Sequence, residues 1–219
     1  MTTTRSYLAT DALTADVLLL SATPTDAGPW IVELDETLFH VKGGGQPSDA
    51  GQIGRASVLA VERTPHGAIL HTITGDPGSS PGERVTIAVD AATRARHSRL
   101  HTAGHLLAAV AERELPWLRA VGAHHYPGEA RVDLELHGAG GDAPTPEHLE
   151  RPLRVAVRGA LPVSVSDPFG YRLVQIGDFA PIGCGGTHVH STAELGEVTI
   201  RSVRLKGKTV RIGYDVANL

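Results

Sequence analysis

The sequence predicts an α+β protein, with a small N-terminal β-barrel followed by an α/β domain of antiparallel sheet and packed helices. Three observations carry this. Short apolar runs broken by Gly- and Pro-containing turns recur about every ten residues through 1–89. One long stretch at helical spacing follows Asp90. Strand-like segments then return on both sides of a second helical stretch. The boundary implied is 1–89 for the barrel and 90–219 for the second domain.

In the first half, the apolar runs 15–22 and 30–34 are separated by Pro24, Asp26, Gly28 and Pro29, and runs at 56–61, 68–73 and 84–89 follow the same plan. The turns between them are His66-Gly67, Asp76-Pro77-Gly78 and Pro81-Gly82. Gly43-Gly44-Gly45-Gln46-Pro47-Ser48-Asp49 interrupts the pattern. Its glycines permit positive φ and close approach of another chain segment, and on spacing alone it is a flexible hairpin loop. No Gly-Lys-Ser/Thr follows, so it is not a Walker phosphate loop.

Asp90 is a suitable N-cap for a helix over 91–114, ended by Pro116. Leu100, Ala103, Leu107, Val110 and Ala111 form its buried stripe, and His97, His101 and His105 share one side. Arg94, Arg96 and Arg99 crowd its first half, as a solvated face or a phosphate-facing patch. Residues 121–136 read as two strands about a turn at Pro127-Gly128, the second alternating cleanly from Arg131. A Gly- and Pro-rich loop over 137–144 leads to a helix over 145–159, with Thr145 as cap and Pro146 at its first position. His148 stands in the Glu/Gln slot, so the capping box reads as incomplete, and Pro152 predicts a kink or a later start. Strands at 161–166 and 171–176 precede a terminal pair, 197–205 and 209–216, joined at Lys206-Gly207-Lys208.

Apolar content of 41% and charged content of 20% are those of a folded domain, and with aromatics at 4% the core rests on Leu, Val, Ile and Ala. Cys184 is the only cysteine, which excludes an intramolecular disulfide and fits a reducing compartment. Met1 to Arg5 lead into no apolar signal core, and the run Val17-Leu18-Leu19-Leu20 is too short to span a bilayer, so a cytoplasmic protein without membrane attachment is expected. A net charge of −4 argues against a broad, non-specific nucleic-acid binder but leaves room for a basic stripe.

His101 and His105 lie four apart on the long helix, and Cys184 and His188 lie four apart in a loop with Gly183, Gly185 and Gly186. Three nitrogens and one sulfur suit Zn²⁺ better than Mg²⁺ or Ca²⁺, which prefer oxygen. Thr102 stands where a His-Glu-x-x-His protease would carry its general base, so that chemistry is excluded. Four protein donors normally make a closed structural site; the alternative is one loose donor replaced by water or substrate.

These residues resemble a known family. His101-Thr102-Ala103-Gly104-His105-Leu106-Leu107 and Cys184-Gly185-Gly186-Thr187-His188-Val189 are similar to the paired zinc motifs of the alanyl-tRNA synthetase editing domain and of its free-standing form, the AlaX proteins. Ser191 to Gly196, Lys206 to Lys208 with Arg211 to Tyr214, and the Gly43 to Asp49 loop with Gly51 extend the resemblance over nearly the whole chain. The Gly43 loop is that of the medium-length forms, which carry an N-terminal barrel.

The resemblance implies a trans-editing deacylase that hydrolyses mischarged tRNA(Ala), chiefly Ser-tRNA(Ala) and secondarily Gly-tRNA(Ala), at the acceptor end. It implies Zn²⁺ held by His101, His105, Cys184 and His188, and places Gly44, Gly45 and Gln46 at the editing site. Thr102, Gln46 and His124, or its neighbour His125, become candidates for contacting the substrate, and Gly104 replaces a bulkier residue, which would widen a pocket wall. Arg94, Arg96, Arg99, Arg204, Lys206 and Lys208 become candidates for a tRNA-binding rim. The alternatives are a zinc-stabilised tRNA-binding module without catalysis, and a hydrolase of the same fold acting on another aminoacyl-tRNA.

Overall fold

The computed structural model describes residues 3–137 and 143–217; the part of the expected 137–144 loop at 138–142 lies outside them. The chain divides into two compact units, one of residues 1–43 and 47–95, the other of residues 44–46 and 96–219.

The first unit holds strands β1 (Thr4–Arg5), β2 (Thr14–Pro24), β3 (Trp30–Leu34), β4 (Glu36–Thr37), β5 (Gly51–Ile53), β6 (Ala56–Arg63), β7 (Ile69–Ile73) and β8 (Arg84–Val89). Six of them close into an antiparallel barrel in the order β2-β3-β7-β6-β5-β8, and β1 pairs with β4 in parallel. Alternation fills the interior with Leu19, Leu34, Ile53, Ile73 and Ile87, all fully buried. The barrel was legible from the sequence, but its closing strand was not. β5 is three residues long and begins at Gly51, where a Cβ would collide with the Ala88 carbonyl oxygen.

One imidazole sits in this barrel's interior. His71 is fully buried, with Nδ1 donating to the Val32 carbonyl at 3.3 Å and Nε2 taking the Thr37 hydroxyl at 2.9 Å. Arg94 is a further internal tie, and not the rim residue its charge suggested. Its guanidinium pairs with the Asp49 carboxylate at 2.5 Å and donates to the Leu38 carbonyl at 2.6 Å, while the same carboxylate takes the His40 N–H at 2.6 Å.

Helix α1 (Ala91–Glu114) starts where Asp90 predicts, the Asp90 carboxylate taking the Thr93 N–H at 2.7 Å. In the second unit, β9 (Leu118–His124), β10 (Arg131–Leu136), β14 (Val198–Lys206) and β15 (Thr209–Val216) form an antiparallel sheet in the order β14-β15-β10-β9. A smaller sheet joins β11 (Val163–Ser166), β12 (Leu173–Ile176) and β13 (Ile182–Gly183). The core takes Leu100, Leu107 and Ala111 from α1, Val132 and Leu134 from β10, and Ile212 and Tyr214 from β15. Helix α2 (Pro146–Arg158) adds Leu149 and Leu153 and continues through Pro152. His148 fills the Glu/Gln slot and completes the capping box, its Nδ1 taking the Thr145 N–H at 3.3 Å.

Arg99 also departs from the expected rim. It is 8% exposed and donates to the Leu195 carbonyl at 2.6 Å and the Ala217 carbonyl at 2.8 Å, so it fastens the end of β15 to the α1 side of the core. Among the described residues, no helix is long and apolar enough to cross a membrane.

Candidate metal centre and adjoining cavity

Helical spacing places His101 and His105 on one face of α1 with ring centroids 4.9 Å apart. The loop after β13 brings Cys184 and His188 to the same point, and one donor atom from each of the four lies within 4.8 Å of the others. Cys184 Sγ is 3.3 Å from His101 Nε2 and 3.3 Å from His188 Nε2. Two ligands on a tetrahedral zinc ion with these donors stand about 3.5 Å apart, from its usual Zn–N and Zn–S lengths. The four residues therefore form a group that can hold a metal ion.

The outer nitrogens show that the arrangement is held from behind. His101 Nδ1 donates to Gln46 Oε1 at 2.6 Å, and His188 Nδ1 lies 3.0 Å from Thr102 Oγ1. Fixing Nδ1 in this way turns Nε2 inward as the electron-pair donor. Gln46 is tied at both ends of its amide: Oε1 also takes the Thr187 N–H at 3.0 Å, and Nε2 donates to Thr187 Oγ1 at 2.9 Å, to which Ser98 adds its hydroxyl at 2.7 Å. Gly186 is the loop glycine that the centre requires, since a Cβ there would overlap the His101 ring and Gln46 Oε1. Its N–H points at Cys184 Sγ, at 3.3 Å, and Arg172 donates to the Cys184 carbonyl at 2.6 Å.

Burial sets the protonation of the group. Desolvation pushes His105 down to about 4, which keeps it neutral and able to bind a cation. Desolvation pushes the Cys184 thiol up, against the Gly186 N–H and the charge of Arg172. A metal therefore binds by displacing the thiol proton, and holds the thiolate that burial alone disfavours.

Beside the four donors opens a cavity of about 540 Å³, lined by Gly44, Gly104, Ala123, His125, Ile176 and Cys184 among others. Gly44 and Gly45 take positive φ, and Gly45 packs so closely that a Cβ would lie 2.6 Å from the Ala123 carbonyl. The Gly45 carbonyl takes the His125 N–H at 2.7 Å. The 44–46 stretch is thus a fitted piece of the second unit, not a free turn.

Several candidates occupy places other than those expected. Thr102 and Gln46 do not line the cavity; both are fully buried, and their polar atoms serve His188, Val189, His101 and Thr187. His124 ends β9 turned away from the cavity, stacked on Tyr126 at 4.2 Å and 3.5 Å from Glu129. Its neighbour His125 is the cavity residue. It is 1% exposed, stacks on His101 with centroids 4.2 Å apart, and meets the Tyr214 hydroxyl through Nδ1 at 2.6 Å. Desolvation first, then the adjoining His105 and His124, push it down to about 3. Gly104 does not widen the wall, because the His125 ring and Tyr214 hydroxyl fill the space a side chain there would take. Arg96, Arg204, Lys206 and Lys208 are exposed.

Ser98, Thr187 and Tyr214 are the participants that sequence reasoning missed. Ser98 and Thr187 flank His101 and His188 by three positions and one, which is a usable signal for residues that support ligands. Tyr214 was signalled only as the end of the Arg211 to Tyr214 segment that carries the resemblance, with nothing to place its hydroxyl at the cavity.

Residues 171–213, which include Cys184 and His188, match the family described as the threonyl and alanyl tRNA synthetase second additional domain. The chain is 32% identical over 212 aligned positions to the alanyl-tRNA editing protein AlaX-M of Saccharolobus solfataricus, covering 84% of this chain and 88% of that protein. It is 33% identical to the alanine–tRNA ligase of Pyrobaculum arsenaticum and 32% identical to that of Halorubrum lacusprofundi, covering 80% and 84% of this chain but 23% and 22% of those enzymes. With near full-length similarity to AlaX-M and only a segment of the ligases matched, the chain belongs to the alanyl-tRNA editing protein family.

Proposed function

We propose that this protein is an aminoacyl-tRNA deacylase acting in trans on mischarged tRNA(Ala), chiefly Ser-tRNA(Ala) and secondarily Gly-tRNA(Ala). The observation that carries the reading is the four-donor cluster opening on a cavity of about 540 Å³ in a chain that spans 88% of an alanyl-tRNA editing protein. The bond broken is the ester joining the amino acid to the terminal adenosine ribose. Such an ester is already activated, so holding it and a water in register and excluding bulk solvent supplies much of the acceleration.

His101, His105, Cys184 and His188 are the residues that would hold Zn²⁺. Bound there, zinc supplies a fixed positive charge and a joint between α1 and the 184–188 loop. The chain's own groups do the rest. Gln46 and Thr102 orient His101 and His188. The Gly44–Gly45 turn and the end of β9 shape the mouth of the cavity. Arg96, Arg204, Lys206 and Lys208 are exposed cations able to take acceptor-stem phosphates.

The test is deacylation of tRNA(Ala) charged separately with Ser, Gly and Ala by the zinc-loaded protein. Rapid loss of Ser with Ala spared supports the proposal, and no acceleration on any mischarged form removes it. One observation favours a second reading, a zinc-stabilised tRNA-binding module: four protein donors saturate a tetrahedral ion. Tight tRNA binding without ester loss is its signature.

A further inference from the structure

Two polar side chains of the cavity wall neither belong to the four-donor set nor support it through a hydrogen bond: Glu112, whose carboxylate takes the Ala120 N–H at 2.7 Å, and His125. Tyr214 has a single hydroxyl proton and donates it to the Leu100 carbonyl at 2.9 Å. Its oxygen must then accept at the 2.6 Å contact with His125 Nδ1, so the proton between them is on Nδ1. A neutral imidazole with its proton on Nδ1 presents Nε2 as a bare acceptor. Among the described residues, nothing donates to Nε2.

The ring cannot turn to hide that lone pair. Its Cε1 edge fills the space over Gly104, where a Cβ would lie 2.5 Å away, and its Cδ2 edge stands 3.3 Å from the position of a Cβ on Gly45. One face stacks on His101 at an interplanar angle of 23°. Three independent contacts thus fix this buried ring in the wall of a cavity whose neighbouring residues include Ala108, Ala120, Ala123, Val132 and Ile176. In such surroundings an unmet acceptor favours a ligand that brings a donor, and penalises one that brings a methyl hydrogen instead.

We propose that His125 is the specificity-determining residue of this pocket. It accepts a hydrogen bond from the side-chain hydroxyl of the ester's acyl group, with Tyr214 as the positioning residue that fixes its tautomer and Gly104 as the gap that admits its ring. The inference rests on the deacylase reading above and adds to it the feature by which a seryl ester is told from an alanyl or glycyl one.

The test compares kcat/KM on tRNA(Ala) charged with Ser and with Gly, for the zinc-loaded wild type, His125→Phe and Tyr214→Phe, with bound metal counted in each. Phenylalanine keeps a ring against His101 and removes the acceptor. A site built around one hydroxyl loses ~100-fold or more on the substrate carrying it when the acceptor goes. The Ser:Gly ratio is therefore expected to fall by that order in His125→Phe and by a smaller factor in Tyr214→Phe, with metal content unchanged. If His125→Phe loses metal or does not fold, Tyr214→Phe alone decides. Equal loss on both esters, or an unchanged ratio in the variant that stays folded and loaded, overturns the inference while leaving the deacylase intact. A wild type inactive on every ester overturns the deacylase reading itself.

Discussion

Both units of this protein bury histidine, and they do so in opposite ways. In the barrel, His71 has both ring nitrogens met by the protein, one by the Val32 carbonyl and one by the Thr37 hydroxyl. In the second unit, His101 and His188 have the outer nitrogen held by Gln46 and Thr102, while the inner ones converge on Cys184 Sγ. The buried Nδ1 of His105 has no hydrogen-bond partner. Burial by itself therefore says little about function. A histidine tied on both sides to its own core completes that core, and a set whose inner nitrogens converge with a sulfur can hold a cation.

The largest expected effect breaks this contrast from the metal side. Stripping the ion, or Cys184→Ala, is expected to remove most of a binding free energy on the order of 10–16 kcal/mol for a structural zinc site. Hydrogen exchange then shows β10 and β15 losing protection while β2 and β3 keep theirs. Equal loss in both units, or an unchanged metal count in Cys184→Ala, contradicts the assignment.

Acid tests the barrel side. Burial holds His71 down to about 4 in the folded state, against an ordinary 6.5 when unfolded. Between those values the unfolded chain takes up a proton that the folded chain refuses. The stability this residue permits at neutral pH is therefore lost as pH falls from 6.5 through 4, by roughly 3 kcal/mol. His71→Gln is expected to cost stability at pH 7 and to flatten that slope in barrel-strand protection. A slope as steep as the wild type's would mean the proton goes elsewhere.

Gln46→Ala comes next. Removing the group that orients His101 is expected to weaken metal affinity about 10–100-fold, read by competition with a chelating dye, with the barrel's stability unaltered. Unchanged affinity would mean that Gln46 ties the 44–46 stretch to the Thr187 loop without tuning the metal. Replacing Arg96, Lys206 and Lys208 together by Gln is expected to leave stability within about 0.5 kcal/mol and to make tRNA binding less sensitive to salt. An identical salt slope removes these residues from the tRNA surface.

The regular elements were the legible part. Helical spacing from Asp90 marks α1 to its last residue, and strict alternation marks β10, because each pattern is dictated by a face that must be buried. The short β5 was not legible, because three residues after a glycine carry no periodicity. At the site, residue types could be read but partners could not. Gln46 meets Thr187 across 141 positions, a distance along the chain that no local pattern spans. Arg94 and Arg99 look like surface charge in sequence and turn out to be internal ties, since a cation's partner carbonyls and carboxylates are set by the fold alone. His124 and His125 are adjacent, and only the end of β9 decides which one turns inward.

The central claim is that a cluster built to hold a metal forms the floor of a pocket that removes a wrong amino acid from tRNA(Ala). The direct measurement is the initial rate of ester loss from Ser-tRNA(Ala) and Ala-tRNA(Ala) with the folded, zinc-loaded protein. The account predicts fast release of serine with alanine left in place. Serine lost no faster than in buffer, or both esters cleaved alike, contradicts it.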